Sequence, residues 1–212
     1  ATSPVTAALQ TQAVTQPAAP ADTTVVLTDV TGRDVVLEKP AAKVVGTHNP
    51  TMNAAVVLGG GGRFIAGFGN KEMSRGLYET VIENYDDLLQ IGKGSTINYE
   101  TVIASGADLA ILPERQQDLV AQFEEIDMKA LVALPNEESF DSVTGSLTLL
   151  GKALGVPERA QAINDFFSDR IDHAKSITAD LDARQKVIFL GGSSQLSVAP
   201  AAMIQTQLIE VA

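Results

Sequence analysis

From Lys43 onward the sequence alternates short apolar runs of strand length with longer segments of helical period. That alternation constrains the fold more than any other feature of the chain. Val44-Val45 reads as a strand, followed by the loop Gly46-Thr47-His48-Asn49-Pro50 and a helix expected over Thr51–Leu58. Gly59 to Gly62 end that helix, and Phe64–Phe68 returns as a strand. Asn98 is placed to cap a helix ending near Ser105, and Leu109–Leu112 is the next strand. A helix over Gln117–Glu125 leads to the strand Leu131–Leu134. Strand–helix units of this length predict an α/β fold, a parallel sheet flanked by helices on both faces.

On either side of this core the pattern changes. Val25-Val26-Leu27 and Val35-Val36-Leu37 flank a turn in which Gly32 can take positive φ, so a β-hairpin is expected there. Residues 1–22 are rich in Ala, Thr, Gln and Pro and contain no aromatic side chain, which predicts a flexible tether. After the core, Phe140, Val143, Leu147, Leu150 and Leu154 form an apolar stripe of helical period, ended by Gly155-Val156-Pro157. A second helix is expected over Glu158–Leu181, about 36 Å at 1.5 Å per residue, long enough to cross between two lobes. The strand Val187–Leu190, the turn Gly191–Ser194 and an apolar helix over Met203–Val211 read as the start of another unit. The expected organisation is therefore a tether (1–22), an α/β lobe (23–155), a connecting helix (156–182) and the beginning of a second lobe (186–212).

Composition narrows the function. The net charge of −11 opposes binding to nucleic acid, whose phosphates require clustered Lys and Arg. With no Cys, thiol nucleophiles, disulfides and thiolate metal sites are all excluded. Two His, His48 and His173, lie far apart in sequence, so a multi-histidine metal site or a Ser-His-Asp triad would have to rest on one of them. Gly59-Gly60-Gly61-Gly62 lies between a helix and a strand, the reverse of the order a dinucleotide loop needs, and reads as a helix terminator. Between Glu114 and Asp141 eight acids stand against two bases, so Glu137, Glu138 and Asp141 read as part of an acidic surface rather than as a catalytic pair. The alternative kept open is an enzyme on a doubly wound α/β sheet.

The order of segments resembles one known family. Asp29-Val30-Thr31-Gly32-Arg33-Asp34-Val35 matches a D-x-x-G-R-x-V hairpin, and Lys43-Val44-Val45 a first strand usually written R-V-V. Leu58-Gly59 through Ile65-Ala66-Gly67 resembles an "LG…ivG" segment. Asn98-Tyr99-Glu100, continued by Ala107-Asp108-Leu109-Ala110-Ile111, resembles an "N-x-E…PDLVI" signature. Leu149-Leu150-Gly151, Leu154-Gly155 and Ala160 match the approach to a long connecting helix. Together these resemble the substrate-binding proteins of ABC importers for ferric siderophores, haem and cobalamin, with Lys43 and Ala107 departing from the usual Arg and Pro. The resemblance implies an extracytoplasmic protein, periplasmic or lipid-anchored through its tether, with no intrinsic cofactor and no catalysis. Its ligand would be an iron complex, haem or cobalamin, and its partner the importer's permease. Because family members have two lobes, it also implies a chain truncated in the second, whose residues 186–212 either pack against another copy or are less ordered than the first lobe.

In open parallel sheets ligands sit beyond the carboxyl ends of the strands. That rule nominates Thr47, His48 and Asn49, then Asn70 and Lys71, then Glu114 and Arg115, and finally Asn136. Lys71, Arg75 and Arg115 are the cations that suit an anionic chelate. His48 can contact a ligand through its imidazole, whereas His173, beside Asp172 and Lys175, reads as a solvent-facing helix residue. Glu100 fits the position of the family's permease-docking glutamate, although a carboxylate in a first helical turn is also favoured by the dipole.

Overall fold

The computed structural model describes residues 24–71, 76–179, 186–189 and 198–211. The tether, Arg75 and the turn Gly191–Ser194 lie outside the described residues. Five parallel strands form the central sheet: β3 (Val44–Gly46), β4 (Ile65–Phe68), β5 (Leu89–Gln90), β8 (Leu109–Pro113) and β9 (Lys129–Leu134). Their order is β5-β4-β3-β8-β9. Chain order reverses beside β3, which pairs with β4 on one side and β8 on the other.

Successive side chains of each inner strand face opposite sides of the sheet, as the pleat requires. Val44, Leu109, Ile111, Leu131 and Ala133 face one core, shared with α1 (Asn49–Gly59) and α5 (Phe140–Ala153). Val45, Ala110, Leu112, Ala130 and Val132 face a second core with Val102 of α3 (Tyr99–Ala104) and Phe123 of α4 (Val120–Glu124). Covered on both faces, these strands read as continuous apolar runs.

Helix ends follow local chemistry. Asn98 caps α3 as expected, its side chain accepting from the Thr101 N–H. Ser139 and Ser142 form a reciprocal capping box at the start of α5. Gly60 closes α1 in the left-handed conformation at φ 66°, a geometry that disfavours side chains. The α1 helix begins two residues earlier than the sequence predicts, because Asn49 and Pro50 already take up its first turn.

Sequence reasoning missed three elements between β4 and α3: α2 (Leu77–Val81), β5, and a hairpin of β6 (Gly92–Lys93) with β7 (Thr96–Ile97). The first hairpin is as expected, β1 (Val25–Thr28) with β2 (Asp34–Leu37), and Gly32 sits at φ 83°. Its turn covers the open side of β9. The Val30 N–H donates to the Val132 carbonyl at 3.1 Å, and Arg33 Nη2 to the Ala130 carbonyl at 3.0 Å. Arg33 is itself fixed by Asp29, through Nε at 3.1 Å and Nη2 at 2.9 Å. Burial works to raise the Asp29 pKa, but hydrogen bonds from Thr31 and Arg33 outweigh it and hold the carboxyl below its ordinary value.

The long helix α6 (Pro157–Thr178) crosses α5 closely, and a Cβ on Gly151 would collide with Ala160. Only Ala160 and Thr178 of α6 are buried. Residues 186–189 form no strand, and the Ala199 N–H donates to the Phe189 carbonyl at 3.1 Å. Leu190, the last residue of the expected strand Val187–Leu190, lies outside the described residues. The last helix, α7 (Ile204–Val211), is held by its own chain: the Ile204 N–H donates to Glu138 O at 2.7 Å, and Gln207 Oε1 accepts from the Phe140 N–H at 2.8 Å.

Candidate ligand-binding site

At the carboxyl ends of β3, β4 and β8 lies an open cavity of about 470 Å³. The loop after β3 contributes Thr47, His48, Asn49 and Pro50; the loop after β4, Asn70; the loop after β8, Arg115 and Gln116. The remaining wall is the β6–β7 turn, Lys93-Gly94-Ser95. The loops converge because two strands approach with no room for side chains. The Gly69 N–H donates to Gly46 O at 2.9 Å, and a Cβ on Gly69 would lie 2.7 Å from Thr47 Cα.

Thr47 is buried, and its hydroxyl is committed to the scaffold. Oγ1 donates to the Gly94 carbonyl at 2.6 Å and accepts from Gln116 Nε2 at 3.3 Å. This ties the hairpin turn to β3 and β8. Asn70 takes a left-handed backbone (φ 55°) and donates Nδ2 to Thr47 O at 2.7 Å. Both residues thus shape the wall.

His48 is 7% exposed, and its Nδ1 has no hydrogen-bond partner. Burial first, and the Arg115 guanidinium second, push the imidazole down to about 4, so it is neutral at neutral pH. Asn49 Oδ1 is likewise buried without a partner. Arg115 is exposed and makes no hydrogen bond or ion pair among the described residues, which leaves its guanidinium available to the cavity.

Three nominated residues, Lys71, Glu114 and Asn136, lie outside the cavity lining. Lys71 Nζ donates to the carbonyls of Leu88 at 2.8 Å and Asp86 at 3.1 Å, and stands 4.9 Å from the Tyr85 ring centroid. The ammonium therefore pins the segment before β5 and does not line the cavity. Asn136 is exposed beyond β9, its N–H donating to Glu114 Oε2 at 2.8 Å. Glu100 is exposed in the first turn of α3, away from the cavity lining, with Ile103 exposed on the same helix. His173 is exposed on α6.

Sequence reasoning did not name Lys93, Gly94, Ser95 or Gln116. A signal for the first three was present: the glycine-bearing Gly-Lys-Gly-Ser run between Ile91 and Ile97 is a short-hairpin pattern.

A family profile described as periplasmic binding protein matches residues 50–205. The chain belongs to the periplasmic binding protein family. No curated protein matches it. Among solved structures, this periplasmic binding protein is similar to a periplasmic solute binding protein from Veillonella parvula, with TM-score 0.69 and 22% identity over 79% of this chain and 52% of that one. It is also similar to the molybdate periplasmic binding protein of a Haemophilus influenzae ABC transporter, with TM-score 0.66 and 14% identity over 77% of this chain and 56% of that one. A third is the periplasmic haem-binding protein of Roseiflexus sp. RS-1 in its apo form, with TM-score 0.61 and 17% identity over 81% and 64%. The chain thus spans about half the length of the first of these. Among the described residues, no helix is long and apolar enough to cross a membrane.

Proposed function

We propose that this periplasmic binding protein carries one wall of a binding site for an anionic metal chelate, held outside the cytoplasm and delivered to the permease of an ABC importer. One observation carries the reading. In a chain of net charge −11, the cavity at the sheet rim is lined by Arg115 and Lys93 and, among the described residues, by no carboxylate. Such a wall suits haem, through its propionates, or a ferric siderophore bearing acid groups. A corrinoid such as cobalamin offers a phosphate. The haem-binding and molybdate-binding relatives support ligands of negative charge without choosing between a chelate and a small oxyanion. Binding, rather than catalysis, is the activity proposed.

Calorimetry with haem, a ferric siderophore, cobalamin and molybdate tests the reading. Arg115→Ala is expected to weaken the ligand that binds by about 1–3 kcal/mol, the range for a charge-assisted hydrogen bond. Lys71→Ala is expected to leave affinity unchanged and to lower stability, because its ammonium holds backbone carbonyls. Failure of the whole panel to bind would remove the reading.

Glu100 is proposed as the permease contact. Its exposure on α3, outside the cavity lining, supports a role separate from ligand capture. Glu100→Arg is expected to leave affinity intact and to lower transport in a reconstituted importer. Undiminished transport would reduce Glu100 to a helix-terminus carboxylate.

A further inference from the structure

The α1 helix points its amino end at the cavity. His48, Asn49 and Pro50, the cap and first residues of this 11-residue helix, all line the cavity wall. The first turn of a helix leaves N–H groups without intrahelical partners, and the macrodipole adds partial positive charge there. No side chain caps this end. A second feature points independently to a ligand: the His48 imidazole, 93% buried by its 7% exposure, keeps Nδ1 unpartnered within the same wall.

We propose that the amino end of α1 is an oxyanion subsite, where a carboxylate, phosphate or sulfate group of the ligand sits against His48 and Arg115 and His48 takes up a proton from solvent as it binds. The proposal rests on the anion-binding reading above and adds to it which group recognises the anion and what binding does to the protein's charge.

In the empty cavity, burial, the helix terminus and Arg115 all oppose imidazolium, and the group titrates near 4. Lys93 of the β6–β7 turn adds a further positive charge to the same cavity. From the loop after β8, Glu114 faces away, its Oε2 accepting from the Asn136 N–H. Before α5, Glu138 lines a separate apolar groove on the far side of Pro50. The loops after β3 and β4 contribute Thr47 and Asn70 to the cavity, both uncharged. No described acid therefore stabilises imidazolium until an anion arrives. An arriving anion offsets Arg115 and the helix terminus together and accepts a hydrogen bond from the newly protonated ring. Linkage then requires anion affinity to rise as pH falls below the ordinary histidine range toward 4.

Inorganic sulfate is the probe, because its own charge is constant across that range. Calorimetry on this chain is expected to show affinity at about pH 5 roughly tenfold or more above that at about pH 7.5, with proton uptake on binding. His48→Gln is expected to abolish the rise. A wild-type NMR titration keeps the test independent of how that variant folds. The ring signal of His48, one of two histidines, is expected to titrate near 4 without sulfate and to move upward with it. Equal affinity at both pH values, a rise that persists in His48→Gln, an unmoved His48 titration, or no saturable sulfate binding would each overturn the subsite. Chelate binding at neutral pH in the calorimetric panel would survive any of these results, so the two readings fail separately.

Discussion

Two helices of similar apolar character end differently in this molecule. On α5, Leu147, Leu150 and Ala153 are buried beside the sheet, and a capping box fixes the helix start. On α7, no residue is buried and Leu208 is 53% exposed. The contrast extends to α6, where Phe166, Phe167 and Ile177 are also exposed. An apolar stripe specifies a face, whereas burial depends on what the rest of the chain brings to that face. Around the sheet, two cores meet the stripes; α6 reaches the main core only through its first turns, by Ala160 and Ile163.

The contrast breaks most readily by truncating side chains. Leu150→Ala is expected to cost about 3–5 kcal/mol in urea unfolding, because a fully buried leucine leaves a cavity. Leu208→Ala is expected to cost under about 0.5 kcal/mol, the scale of surface substitutions. A comparable loss at both positions would show that α7 is covered in solution.

The two histidines repeat the contrast with a smaller effect. His48 has a depressed pKa in the folded state, so the unfolded chain binds the extra proton between 6.5 and about 4. Stability from the neutral, buried imidazole is therefore present above 6.5 and lost as pH falls toward 4, by about 2–3 kcal/mol. His48→Gln should flatten that limb of the pH–stability curve, whereas His173 sits on the exposed face of α6. Asp29, also depressed, contributes stability that is lost only at lower pH, below its ordinary carboxylate range. A smaller effect than at His48 is expected at Gln207→Ala, about 1 kcal/mol for its hydrogen bond to the α5 amino end, read by thermal melting.

Most of the fold was legible because the sheet interior is built from long contrasts. Val44-Val45, Leu109–Leu112 and Leu131–Leu134 are buried on both faces, and Asn98 caps its helix without help from distant residues. The Leu89–Gln90 strand and the Gly92–Ile97 hairpin were not legible, since two-residue ladders carry no periodicity and depend on neighbours already in place. The rim of the cavity was legible from the end-of-strand rule, which placed His48, Asn49 and Arg115 beside it. The rule could not tell that Thr47 and Lys71 are engaged by Gly94 and by the carbonyls of Asp86 and Leu88, because those partners lie 15–47 residues away.

The hairpin turn that covers β9 also sets an order of events. Arg33 reaches the Ala130 carbonyl across 97 residues, so a chain made from its amino end carries the cover long before the strand it protects. Closing so large a loop is slow relative to forming local helices and hairpins. During that interval β9 is a bare edge able to pair with other chains. The vulnerability is one of timing: a change that delays the meeting of Arg33 with β9 would raise losses to aggregation during refolding, even where equilibrium stability is unchanged.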